Sequence, residues 1–207
     1  MKKLLTLLLI AALALSLTMT LAACGGDGSN GGDTPIAANI GDVIPFGGYN
    51  WRVLDVQGGK AFIISEDILE RRPYHEPGGR ITWENSTIRN YLNSEFLSSF
   101  SQADQAKISE TTVINNNNPT YDTPGGNNTV DKVFLLSIYE AGRYFENDSA
   151  RIAYDSDGEA VWWWLRSPGD YSYYAAFVNN VGYLNHNGGN VNNNIPGVRP
   201  ALWLNLD

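Results

Sequence analysis

The chain has few of the residues that most often mark chemistry. One cysteine among 207 residues excludes an internal disulfide and a cysteine-rich zinc site. The two histidines, His75 and His186, stand far apart and have no companion at ligand or triad spacing. Basic charge is scarce: 14 Lys and Arg face 22 Asp and Glu, for a formal charge of −8 and no basic cluster. Phosphate backbones are bound mainly through Lys and Arg, so this balance argues against nucleic acid as a partner. No repeat of solenoid length occurs. Charged residues make up only 17 % while aromatics reach 12 %, the balance of a folded domain rather than a disordered one.

The N-terminus reads as an address. Met1–Lys3 is a short basic start, Leu4–Leu17 is almost purely aliphatic, and small residues precede Cys24. That order reads as a secretory signal, with an uncleaved membrane helix over Leu4–Ala23 as the competing reading. Leu21-Ala22-Ala23-Cys24 resembles the bacterial lipoprotein lipobox, which implies acylation of Cys24 after removal of residues 1–23. At ~0.8 kcal/mol per buried methylene, two or three chains hold a protein durably at a membrane. Residues 24–38, rich in Gly, Asp and Ser, follow as a flexible tether. Residues 39–207 are then one domain displayed outside the cytoplasmic membrane.

Within that domain the hydrophobic periods alternate. Val43–Phe46, Tyr49–Val56 and Lys60–Ser65 read as strands, with Gln57-Gly58-Gly59 as a hairpin turn. Thr87–Phe100 shifts to helical spacing, Gln102–Ile108 follows as a short helix, and Lys132–Leu136 reads as a buried strand. Ser137 with Glu140 forms a capping box that opens a helix through Phe145. Strands return at Val161–Arg166, Tyr174–Asn180, Tyr183–Asn187 and Val198–Asn205. This order predicts an α+β fold, mainly an antiparallel sheet with a few short helices.

Two signatures carry a family resemblance: Trp162-Trp163-Trp164-Leu165-Arg166-Ser167-Pro168-Gly169 and Gly197-Val198-Arg199-Pro200-Ala201-Leu202-Trp203-Leu204-Asn205-Leu206. With Gly48–Leu54, Trp83–Ser86 and Leu135–Ser137, they resemble the bacterial domain of unknown function 6273 from Asn39 onward. The closing layout is a Trp-rich strand, a polar stretch and a strand bearing Val-Arg. It is similar to C-type-lectin-like domains, including formylglycine-generating enzymes and retroelement-diversified binding proteins. The former use cysteines, and Cys24 is spent on the anchor, so their activity is not expected here.

Most candidate chemistry reads as frame. Arg166 and Arg199 are each expected to pair with a partly buried carboxylate such as Glu66, Asp67 or Glu140. Trp162 and Trp164 share one strand face and Trp163 the other, so at least one face is core; Trp203 belongs to the same structural set. Asp155–Glu159 alternates oxygen donors as a calcium loop does, and is equally an Asp-Gly turn. No catalytic residue, metal ligand or cofactor is assigned.

The stretch Asp170–Asn194 differs. It holds Tyr171, Tyr173, Tyr174 and Tyr183, and residues 179–194 carry eight Asn with no charged side chain. Tyr provides rigid contact area and Asn supplies both donors and acceptors, as in antibody loops. The alphabet is also that of retroelement-diversified segments, which lie just before the final strand. The expected ligand-facing set is Tyr171, Tyr173, Tyr174, Asn179, Asn180, Tyr183, Asn185, His186, Asn187, Asn190, Asn192 and Asn193. Tyr183, Asn185 and Asn187 would share one strand face. The ligand expected is an extracellular carbohydrate or protein epitope, and the competing reading is a structural envelope module whose Asn residues merely build turns.

Overall fold

A computed structural model describes residues 36–207. The signal, the lipobox and most of the tether lie outside the described residues.

The chain opens with β1 (Val43–Phe46), β2 (Tyr49–Gln57) and β3 (Lys60–Ser65) as consecutive antiparallel strands. Gly58 and Gly59 make the β2–β3 turn with φ of 58° and 74°. Two successive positive φ angles match the right-handed twist of the flanking strands, and glycine takes them without strain. A short β4 (Glu70–Arg71) and α1 (Thr87–Tyr91) follow. The expected single helix over 87–100 is broken: Leu92–Phe96 widens into a π turn. Asn93, in that turn, donates to Val133 O at 2.8 Å and accepts from the Lys132 and Val133 amides. Those bonds also explain why Lys132–Leu136 is buried without being a strand. Asn93 takes the amides a ladder would use, and only Phe134 bridges a strand residue, Ala201.

Then come α2 (Gln102–Lys107), capped by Ser101, the strands β5 (Ile108–Ser109), β6 (Thr111–Val113) and β7 (Thr129–Asp131), and α3 (Ile138–Tyr144). The Ser137–Glu140 capping box is formed in both directions, which satisfies two helix-end donors reciprocally. The rest comprises α4 (Asp148–Arg151), β8 (Ala153–Tyr154), β9 (Ala160–Val161), β10 (Trp163–Pro168), β11 (Tyr174–Val178), β12 (Leu184–Asn190), β13 (Gly197–Val198) and β14 (Ala201–Asn205). This is an α+β fold with mainly antiparallel sheets and short helices.

Two five-stranded sheets carry the domain, in the orders β1-β2-β3-β14-β5 and β12-β11-β10-β13-β4. They are joined by one long antiparallel ribbon. β3 pairs with β14, Ser65 N donates to Pro200 O, Leu69 N donates to Val198 O, and β4 pairs with β13. The expected strand 198–205 therefore bends at Arg199-Pro200 and belongs to both sheets. Among the described residues, only β10 with β13 runs parallel. One hydrophobic core includes side chains of both sheets, among them Trp51, Phe62, Trp163 and Trp164.

The tryptophans are cross-links as well as core. Trp163 Nε1 donates to Arg151 O and Trp164 Nε1 to Arg72 O. Both are fully buried, so both faces of β10 are covered. Trp162 is 38 % exposed and stacks on Phe177 at 4.7 Å, while Trp164 meets Phe177 edge-on, so the two do share a face. Trp203 stacks on Phe62 at 5.0 Å.

Candidate functional site

Arg166 behaves as expected. Both its terminal nitrogens reach the Glu140 carboxylate, and it also donates to the carbonyls of Leu135 and Ile114. Burial pushes the Glu140 carboxyl upward, but the Arg166 charge and hydrogen bonds, with those from Ser137, hold it below its ordinary value. Arg199 departs from expectation. It is 2 % exposed, yet it bonds backbone rather than a carboxylate: Nε donates to Ser65 O at 2.8 Å and Nη2 to Glu66 O at 3.1 Å. The Glu66 carboxylate is taken by Arg52. Arg199 thus ties down the carbonyls opposite the bend where the ribbon changes sheet.

Asp155 forms a turn. Its Oδ1 accepts from the amides of Asp157 and Glu159, and its Oδ2 from Arg71 at 2.7 Å. With the Gly158 amide donating to Asp155 O, these bonds build the Asp-Gly turn. No group of three or more His, Cys, Asp or Glu suited to a metal occurs among the described residues.

The Tyr/Asn-rich residues divide into three groups. The first locks turns. Asn179 Oδ1 accepts from the amides of Val181 and Tyr183, closing the β11–β12 hairpin around Gly182. Asn185 Oδ1 accepts from Gly188 N, Asn190 Oδ1 from Asn192 N, and Asn193 Oδ1 from Ile195 N. Asn180 Oδ1 accepts from Trp162 Nε1. Apart from that of Asn180, whose donor is distant in sequence, these acceptors are satisfied locally, which is why Asn recurs at such positions.

A second group gathers at the start of β11. Tyr171 and Tyr173 stack at 5.3 Å, and Tyr174 meets both rings edge-on. Val191 N donates to Tyr173 O and His75 N to Val191 O, so these rings lie beside Asn192 and residues 75–82. The Tyr trio and the Asn179 turn stand at opposite ends of β11, so the predicted residues do not form one surface.

The third group lines an open hollow of about 430 Å³: Tyr183, His186 and Asn187 come from β12 and the turn before it. The expected alternation fails here. Phe177 pairs with Asn185 but Ala175 with Gly189, so β12 bulges over 186–188, with Gly188 at φ 80°. His186 and Asn187, adjacent in sequence, consequently both engage residues 118–121. Thr120 Oγ1 is hydrogen-bonded to His186 Nδ1 at 2.7 Å, and Tyr121 OH donates to Asn187 Oδ1 at 3.0 Å. Burial lowers the His186 pKa, which disfavours the protonated ring.

Sequence reasoning missed the other wall. Thr120 and Tyr121 come from the Asn-rich loop 115–128, and Asp148 and Arg151 from α4. Arg151 donates to Gly182 O at 2.9 Å and pairs with Asp148, which fixes the hairpin turn against α4. Asn118 is 1 % exposed and donates to the carbonyls of Pro168, Gly169 and His186. The available signal was compositional: residues 115–128 share the Asn, Tyr and Gly alphabet of residues 170–194. The hollow presents two half-exposed tyrosines, amides, one imidazole and a charge-balanced Arg–Asp pair. Within it, the Thr120 hydroxyl and the His186 imidazole are in hydrogen-bond contact.

The sequence profile of a family described as a domain of unknown function (DUF6273) matches residues 58–206. The chain belongs to this family. The match begins at the β2–β3 turn rather than at Asn39, so β1 and β2 precede it although they complete its first sheet. No curated protein and no solved structure matches the chain.

Proposed function

We propose that this DUF6273 domain is the non-catalytic ligand-binding part of an extracytoplasmic lipoprotein, recognising a carbohydrate or a protein epitope. The observation that carries the reading is the hollow in which Tyr121 and Tyr183 stand 43 % and 57 % exposed beside His186 and Asn187. Exposed tyrosines on a fixed frame give contact area at low entropic cost. The surroundings are neutral, since Arg151 is paired with Asp148. The lipobox supports membrane anchoring through Cys24, and the Trp-rich strand followed by a polar stretch and Val-Arg supports the likeness to C-type-lectin-like domains.

The decisive measurement is binding of the purified protein to a glycan array and a protein array, repeated with Tyr121→Ala and Tyr183→Ala. Hits that both variants lose support the reading. A complete lack of hits favours the structural envelope module, for which the turn-locking Asn residues speak.

A further inference from the structure

A second hollow, of about 530 Å³, opens where the Ser65–Asp67 corner meets the segment from the end of α3 through α4. Arg199 and Glu66 both line it. Two of the Arg199 nitrogens are used on backbone carbonyls, while Nη1 is buried with no hydrogen-bond partner among the described residues. Glu66 is in the complementary condition: Oε1 takes Arg52, and Oε2 is buried without a partner. A guanidinium only donates and an ionised carboxylate only accepts, so one donor and one acceptor are left over on two residues that line the hollow. Unsatisfied buried polar groups carry a penalty of about 1–3 kcal/mol each, more when charged. Arg199 is also held in place, its guanidinium carbon 5.4 Å from the Phe145 ring centre and 5.2 Å from that of Trp163.

We propose that this hollow binds a neutral, hydroxyl-rich small molecule of about monosaccharide size. A hydroxyl both donates and accepts, so neighbouring hydroxyls answer Arg199 Nη1 and Glu66 Oε2 together. A simple anion would suit Arg199 but meet Glu66, Asp67 and Glu146 around the same hollow, and a simple cation would meet Arg52 and Arg199. The ammonium of an amino acid placed at Glu66 would lie beside the Arg52 guanidinium. Aromatic side chains, Tyr144, Phe145 and Tyr154, complete the walls and suit the C–H faces of a sugar ring. The volume falls within the range of roughly 300–1,000 Å³ usual for small-ligand sites. This site is separate from the hollow at Tyr121 and Tyr183, so either can fail without the other.

The test is saturation-transfer NMR on the full chain with glucose, N-acetylglucosamine and inositol as neutral probes, and glycine and acetate as charged ones. Saturation should pass to at least one neutral probe and to neither charged one. Tyr154→Ala should weaken that binding about tenfold or more. Tyr154 is 48 % exposed, so removing its ring should preserve the fold, which a thermal melt verifies. Glu66→Gln should weaken binding similarly, whereas Tyr183→Ala should leave it unchanged. Failure of all three neutral probes overturns the proposal. Preference for glycine or acetate, or undiminished binding in folded Tyr154→Ala and Glu66→Gln, does the same.

Discussion

The side-chain amide of Asn118 donates to the carbonyl of His186 at 2.8 Å, fastening an Asn-rich loop to the bulge in β12. The same amide serves Pro168 and Gly169, and Asn118 Oδ1 accepts from the amides of Thr120 and Tyr121. One side chain thus orients the two residues that form the far wall of the first hollow. Asn118→Ala should lower stability by about 2 kcal/mol, because it leaves buried carbonyls without donors. Hydrogen exchange at residues 120–123 should accelerate more than exchange in β2 or β3. Equal acceleration everywhere would make Asn118 a general core residue rather than a loop fastener.

The strands β1, β2, β3, β11 and β12 and the capping box were legible because local periods and caps agree with the tertiary structure there. What the sequence hides is non-local. The bend at Arg199-Pro200 depends on the Ser65 and Glu66 carbonyls across the ribbon, and the π turn depends on Asn93 reaching residues 132–133. The candidate site was half legible. Tyr183, His186 and Asn187 stand out by composition, but a bulge defeats period-two reasoning, and nothing local shows that residues 118–121 lie against them. The remaining Asn residues matched the expected alphabet for a different reason, namely that their oxygens close turns.

The pH dependence of stability should report the Arg166–Glu140 pair. The Glu140 carboxyl is held below its ordinary value, so its stabilisation is complete above the usual carboxylate range and disappears as pH falls through the folded-state value. Denaturant midpoints should therefore fall on acidification. Glu140→Gln should lower stability at pH 7 by about 3 kcal/mol, since Arg166 is left buried without its carboxylate, and should flatten the acid limb. An unchanged acid limb would place the acid sensitivity in other carboxylates.

Gly182 has a φ of 83°, and a Cβ added there would overlap the Asp148 carbonyl. Backbone rather than a movable side chain stands in the way. Gly182→Ala should cost more than about 2 kcal/mol and disturb the β11–β12 turn, which thermal melts and the amide shifts of residues 179–184 would record. A melt within about a degree of wild type would mean that α4 shifts freely, contrary to its Arg151 tie.

The proposed anchoring rests on Cys24. Cys24→Ser should abolish acyl labelling and release the protein, or its uncleaved precursor, from the acylated pool. A mutant that keeps its label and partitions with membranes as before would refute the lipoprotein reading.

Stability and binding should separate along the division among the Tyr and Asn residues. Asn179→Ala and Asn185→Ala each remove an acceptor that closes a turn, so each should lower stability by about 1 kcal/mol. Tyr121→Ala and Tyr183→Ala remove half-exposed rings, and surface changes usually fall within about ±0.5 kcal/mol. Their effect on affinity should be much larger, because a tyrosine hot spot commonly contributes about 2 kcal/mol or more, over tenfold in Kd. Melting temperature measured beside affinity for whichever array ligand is found decides the matter. A folded double tyrosine variant that binds as well as wild type would move the site away from this hollow. The Tyr171–Tyr173–Tyr174 cluster at the other end of β11 would then be the next place to mutate.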